Sequence, residues 1–153
     1  MGLVTAALIE EEQRILIAQR GRSQRFGRQW EFPGGKVMQG ETPEACLRRE
    51  IQEELNLKVR VEELFCTVHH QYPDFFIELM AFWCTIIGGS LELEEHEQVQ
   101  WVTVPEMMKY AFVEEDLNII VALSNDWHKT NEYGILLVEL KLYRPLVSKV
   151  HIR

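Results

Sequence analysis

Residues 35–57, GKVMQGETPEACLRREIQEELNL, carry the densest set of structural signals in the chain. Thr42 has the hydroxyl that caps a helix N-terminus, Pro43 suits the first helical position, and Glu44 favours the positive end of the helix dipole. Leu47, Ile51 and Leu55 recur every four residues and form one apolar stripe that must face a core. Asn56 tolerates the left-handed backbone that follows a helix, and β-type residues come next. A helix from Pro43 to Leu55 is therefore predicted.

The same helix carries Glu50, Glu53 and Glu54 beside the stripe. At roughly 100° per residue, their carboxylates share an arc of about 100° and converge on one patch. Like charges so spaced destabilise a helix by about 0.2–0.5 kcal/mol per pair, so a solvated acidic face is one reading and a compensated cluster the other. Hard divalent cations such as Mg²⁺ take oxygen ligands of this kind together with substrate phosphates. Arg49 adjoins the cluster and can hold a carboxylate in place. Glu41 reaches the region from the helix's amino end, and a Gly34-Gly35 turn upstream allows backbone to approach a metal or phosphate.

On the amino-terminal side, Val4 to Ile9 and Ile15 to Arg20 read as a hairpin around an acidic turn. A polar loop, residues 21–29, leads to Trp30-Glu31-Phe32 and the turn Pro33-Gly34-Gly35. Beyond the helix, Leu57 to Val68, Phe75 to Ile87 and Gln98 to Val104 read as strands. Pro105 to Tyr110 reads as a helical turn, and Glu114 to Leu123 as a second helix. The pieces make a mixed sheet with helices. Residues 1–124 are expected to form the domain. Residues 125–153 are expected to be an extension on it: a polar linker to Asn131, then a strand over Tyr133 to Tyr143.

A length of 153 residues suits one domain, and the formal charge of −8 disfavours a polymeric nucleic acid partner, which needs a basic surface. The three cysteines, Cys46, Cys66 and Cys84, form no CxxC pair and read as small buried residues. Met1 to Ile9 is apolar but runs directly into Glu10, Glu11 and Glu12, unlike a signal peptide, and no stretch approaches the length of a membrane span. The expected setting is the cytoplasm, as a monomer or homodimer.

The quoted segment resembles the signature of the Nudix hydrolases: Gly, five residues, Glu, seven residues, then REUxEExGU with U aliphatic. Gly35, Glu41, Arg49, Glu50, Ile51, Glu53, Glu54 and Leu57 match, and Asn56 stands where the signature has Gly. The preceding WEFPGG and the strand order resemble the MutT-like branch. The resemblance implies an α/β/α sandwich around a mixed β-sheet and hydrolysis of a nucleoside diphosphate linked to a further group. In this branch the reaction would turn a nucleoside triphosphate into monophosphate and pyrophosphate, as nucleotide-pool sanitation requires. It further implies Mg²⁺, with Mn²⁺ as a substitute, held by Glu50, Glu53, Glu54 and the Gly34 carbonyl and positioned by Glu41 and Arg49. Glu95, in EEHEQVQW, takes the place of a further ligand or general base, with Glu97 as its rival and a plain acidic turn as the alternative.

Substrate contacts follow from the same resemblance. Five arginines, Arg14, Arg20, Arg22, Arg25 and Arg28, lie between Gln13 and Trp30 with no carboxylate among them. Arg20 takes the place of a phosphate contact, beside Gly35. Tyr72 offers a ring for base stacking. Asp116 aligns with the residue that reads the base edge and would accept from an exocyclic amine, as in cytosine. A CTP-like or modified nucleotide is the expected substrate. Phe75, standing where an enzyme for oxidised guanine nucleotides carries Arg, counts against that particular purine. A dinucleoside polyphosphate or nucleotide sugar hydrolase, or a non-catalytic binding module, are the rival readings, the last disfavoured because every carboxylate of the box is kept.

Overall fold

The computed structural model describes residues 2–131 and 149–152. Strand β1 (Gly2–Glu11) is its spine. Its outer end turns back into β2 (Arg14–Gln19), its inner end pairs antiparallel with β4 (Gly34–Lys36), and over Gly2 to Ile9 it runs parallel to β6 (Phe76–Gly89). The short β3 (Trp30–Glu31) and β7 (Gln98–Val102) flank β2, while β5 (Leu57–Gln71) pairs antiparallel with β6. β8 (Lys149–Ile152) closes the far edge by pairing with β5. The sheet is thus mixed, in the order β3-β2-β1-β6-β5-β8.

Helices cover both faces. Thr5 to Ile9 are buried without alternation, which a strand tolerates only when each face is packed. Leu8 and Ile17 face a cluster with Phe32, Leu79 and Ile119 of helix α2 (Glu114–Asn131). Ala7, Ile9 and Leu16 face the other cluster, with Leu47, Ile51 and Leu55 of helix α1 (Pro43–Leu55). This is the expected α/β/α sandwich. Cys46, Cys66 and Cys84 are all buried and free.

Two expectations need correction. Gly34 and Gly35 are not a turn but part of β4, opposite Ala6 and Thr5. A side chain at Gly34 would run into the Thr5 carbonyl, so here glycine permits close strand pairing. Helix α2 does not yield to a linker after Ser124. It continues to Asn131, because Trp127 extends the stripe of Ile120 and Leu123 onto the core and Ser124 is itself buried. The strand expected over Tyr133 to Tyr143 lies outside the described residues. Among the described residues no helix is long and apolar enough to cross a membrane.

Candidate active site

Helix α1 begins as its sequence dictates: the Thr42 hydroxyl accepts from the Ala45 amide at 3.1 Å. It ends with Asn56 in the left-handed conformation, φ 56° and ψ 34°. With the apolar stripe buried, the next faces of the helix turn its carboxylates toward β4 and the sheet end.

Arg49 is the organiser of that surface. Its guanidinium donates to both oxygens of Glu41, at 2.7 and 3.1 Å. It also donates to Glu50 at 2.8 Å and Glu53 at 3.3 Å, and to the Lys36 carbonyl at 3.3 Å. The like charges of the helix are thereby gathered on one cation, the compensation that their spacing requires. Arg49 above all, then the Met38 amide at 2.9 Å, holds the Glu41 carboxyl down at about 2. Glu50 lies against Gly35, where any side chain would collide with its carboxylate. Glu53 is the most exposed of the set, its side chain 60% accessible.

Glu54 is the exception. Its Oε2 is buried with no hydrogen-bond partner. Burial first, then the negative charges of Glu31 and Glu50, pushes its carboxyl far above the ordinary carboxylate range. It lines a cavity of about 170 Å³ together with Gly34, Gly35, Arg20, Glu31, Glu95, His96 and Asp116. A larger hollow of about 470 Å³ beside Trp83 and Trp127 includes none of the box carboxylates.

Across the cavity, Arg20 donates to Glu31 Oε1 at 2.7 Å and, through Nε, to the Arg25 carbonyl at 2.6 Å. The second Glu31 oxygen meets His96 Nε2 at 2.8 Å. Glu95 sits exposed at the rim and accepts from Gln24 at 3.1 Å. Asp116 is buried and accepts from the Phe32 amide at 2.8 Å. Burial, then the neighbouring Glu115 and Glu31, raises its carboxyl well above the usual value.

The fold therefore brings Arg20, Gly34, Gly35, Glu54, Glu95 and Asp116 to one cavity, while Glu41, Glu50 and Glu53 gather on Arg49 outside its lining. Tyr72 is not brought there. It is buried between Phe75, at 4.7 Å between ring centres, and the edge-on His70, also at 4.7 Å, so its face is already used. Glu31, Gln24 and His96 went unassigned from the sequence. The bonds that bring them to the cavity, Gln24 to Glu95 and Glu31 to Arg20 and His96, span 11 to 71 positions, so no local spacing advertised them.

Among the described residues, no three acidic, histidine or cysteine side chains already stand at ligating distances from one point. Glu50 and Glu53 are turned onto Arg49 instead. The donor set nevertheless fits a hard divalent cation, because the orphaned, desolvated Glu54 oxygen, hemmed in by Glu31 and Glu50, is what such an ion would neutralise.

Residues 2–123 match the NUDIX domain. The chain belongs to the Nudix family. Within that family it is MutT-like: the CTP pyrophosphohydrolase of Escherichia coli K12 is 32% identical over 78% of this chain and 88% of its own. An 8-oxo-dGTP diphosphatase of Proteus vulgaris is 40% identical over 54% of this chain and 74% of its own. The E. coli ORF135 protein superposes with a TM-score of 0.71 at 31% identity, covering 80% of this chain and 88% of that one. A MutT protein from Methanosarcina mazei, at 19% identity and a TM-score of 0.73, shares the fold. This Nudix member is a hydrolase of phosphoric anhydride bonds.

Proposed function

We propose that this protein is a Mg²⁺-dependent pyrophosphohydrolase that converts a nucleoside triphosphate into its monophosphate and pyrophosphate. The observation that carries the reading is one cavity that Glu54 of α1 and Arg20 line together, with the Glu50 carboxylate packed behind its Gly35 lining. Glu50, Glu53, Glu54, Glu95 and the Gly34 carbonyl would hold the metal, and Glu41 would act through Arg49 to keep those carboxylates oriented. The ion, when bound, polarises the phosphoryl oxygens and lowers the pKa of water. Arg20, with the Gly35 backbone, would take the phosphate charge, exchanging its present Glu31 partner for a phosphate oxygen. Glu95, exposed at the cavity rim, would accept a proton from an attacking water.

Whole-nucleotide sites run to about 300–1,000 Å³, so a cavity of about 170 Å³ would enclose only part of the nucleotide, with Asp116 in its lining to meet the base edge. Asp116, whose carboxyl burial pushes toward the protonated form, would present an acceptor oxygen beside a donor hydroxyl. Cytosine offers the complementary amine beside a ring nitrogen, and an 8-oxopurine offers a carbonyl beside a ring N–H. The names of the similar enzymes, a CTP pyrophosphohydrolase and an 8-oxo-dGTP diphosphatase, support both candidates.

The test is to incubate the protein and Mg²⁺ with ordinary and modified nucleoside triphosphates, nucleotide sugars and dinucleoside polyphosphates, separating the products chromatographically. Monophosphate plus pyrophosphate from a CTP-like or oxidised nucleotide, lost in Glu53→Gln, is the expected result. Turnover confined to dinucleoside polyphosphates or nucleotide sugars would overturn the substrate assignment. Asp116→Asn should change the ratio of kcat/KM between cytosine and purine substrates by about tenfold, the effect of one polar contact to the base. An unchanged ratio would remove Asp116 from base reading.

A further inference from the structure

The one departure from the Nudix signature, Asn56 in place of Gly, has a side chain with two partners. Its Nδ2 donates to the Ser90 carbonyl at 3.0 Å, and its Oδ1 accepts from Gln52 Nε2 at 3.0 Å. A glycine could fill the left-handed backbone position but make neither bond.

What Ser90 leads into is the segment that carries Glu95. The last carbonyls of a helix have no partner inside it. Here the Glu92 amide donates to the Leu55 carbonyl at 3.0 Å and the Glu94 amide to the Glu54 carbonyl at 3.3 Å. Residues 90–94 thus run along the end of α1 as its cap, and the next residue, Glu95, is delivered to the cavity that Glu54 lines. Gly89 makes the approach possible, since a side chain there would strike the Asn56 carbonyl. Asn56 stands where this run begins, bonded on one side to the helix and on the other to the departing strand.

We infer that Asn56 is a positioning residue: its side-chain amide ties residues 90–94 to the carboxyl end of α1 and so fixes Glu95 relative to Glu54. The inference rests on the proposed role of Glu95 for its catalytic consequence, but not for the tether itself. Asn56→Gly keeps the left-handed backbone and loses the amide. Asn56→Asp keeps the acceptor for Gln52 and loses the donor to Ser90, placing a carboxylate oxygen against that carbonyl instead.

Native-state hydrogen exchange, read residue by residue, separates the possibilities. In both variants the Glu92 and Glu94 amides should exchange about two- to tenfold faster, the effect of losing one ordinary hydrogen bond, while amides within α1 are unchanged. Unchanged exchange at Glu92 and Glu94 in both variants overturns the tether. The kinetic half is a double-mutant cycle with Glu95→Gln under saturating Mg²⁺. Asn56→Gly should lower kcat severalfold in the native background and have no further effect beside Glu95→Gln. Fully additive losses would overturn the link to Glu95. Faster exchange together with a Glu95→Gln enzyme of native kcat would uphold the tether and instead refute the role given to Glu95.

Discussion

Arg49 shows how much of this site hangs on one planar cation. Its guanidinium serves Glu41, Glu50 and Glu53 at once, with a fork on Glu41 that a lysine cannot copy. Arg49→Lys would retain the charge and abandon the geometry. Supporting partners of metal ligands change affinity by about 10–100-fold when lost, so Mg²⁺ should bind that much more weakly to Arg49→Lys, as titration calorimetry would register. An unaltered affinity would mean that Arg49 merely neutralises charge. At this scale the sequence was legible where spacing is local: Glu50, Glu53 and Glu54 share a helix with Arg49. It was not legible for Glu31, whose two oxygens are claimed by Arg20 and by His96, a residue 65 positions along the chain. Nor could residue type alone say that Tyr72 spends its ring on its own neighbours.

Among the elements, α1 was readable from cap to cap because both of its ends are signalled by side-chain chemistry. The Thr42 cap holds the first turn, and with it the loop in which Glu41 meets Arg49. Thr42→Ala should cost about 1 kcal/mol of unfolding free energy in a denaturant titration. Because Glu41 keeps its hydrogen bond to the Met38 amide, the loss should fall on stability, with kcat/KM changed little. A cost near zero would show that Pro43 and packing alone start the helix. By contrast, β4 was misread as a turn. Adjacent glycines signal conformational freedom, and only the partner strand shows that the freedom is used for close approach to Thr5. The carboxyl end of α2 was misread for the opposite reason: Asn125 and Asp126 are polar, yet they lie on the outward face of a helix still anchored by Trp127.

The whole molecule is what makes Glu54 unusual, since its surroundings come from α1, β3, β4 and the loop before β7, which no single segment of sequence reveals. The folded carboxyl has a raised pKa, so between the ordinary carboxylate value of 4.5 and that raised value the folded state binds the proton more tightly than the unfolded state. Stability from this group is therefore undiminished below about pH 4.5 and falls as pH rises through neutrality. Glu115 and Asp116 are raised as well and add the same slope. Glu41, lowered to about 2, changes only on the acid side of the window. A divalent cation replaces the proton on Glu54, so its stabilisation should grow over the same range. Thermal unfolding from pH 5 to 8 should thus show Tm falling without metal and recovering with Mg²⁺, the recovery largest at pH 8. Glu54→Gln removes a group that must take up a proton, or bury its charge, on folding. It should raise the metal-free Tm at pH 8 by about 2–4 °C for each 1 kcal/mol relieved, flatten part of the pH slope, and abolish most of the Mg²⁺ effect. A Glu54→Gln protein less stable than the native one at pH 8 without metal would mean that the carboxylate is already satisfied in the fold, and that its burial is no preparation for a cation.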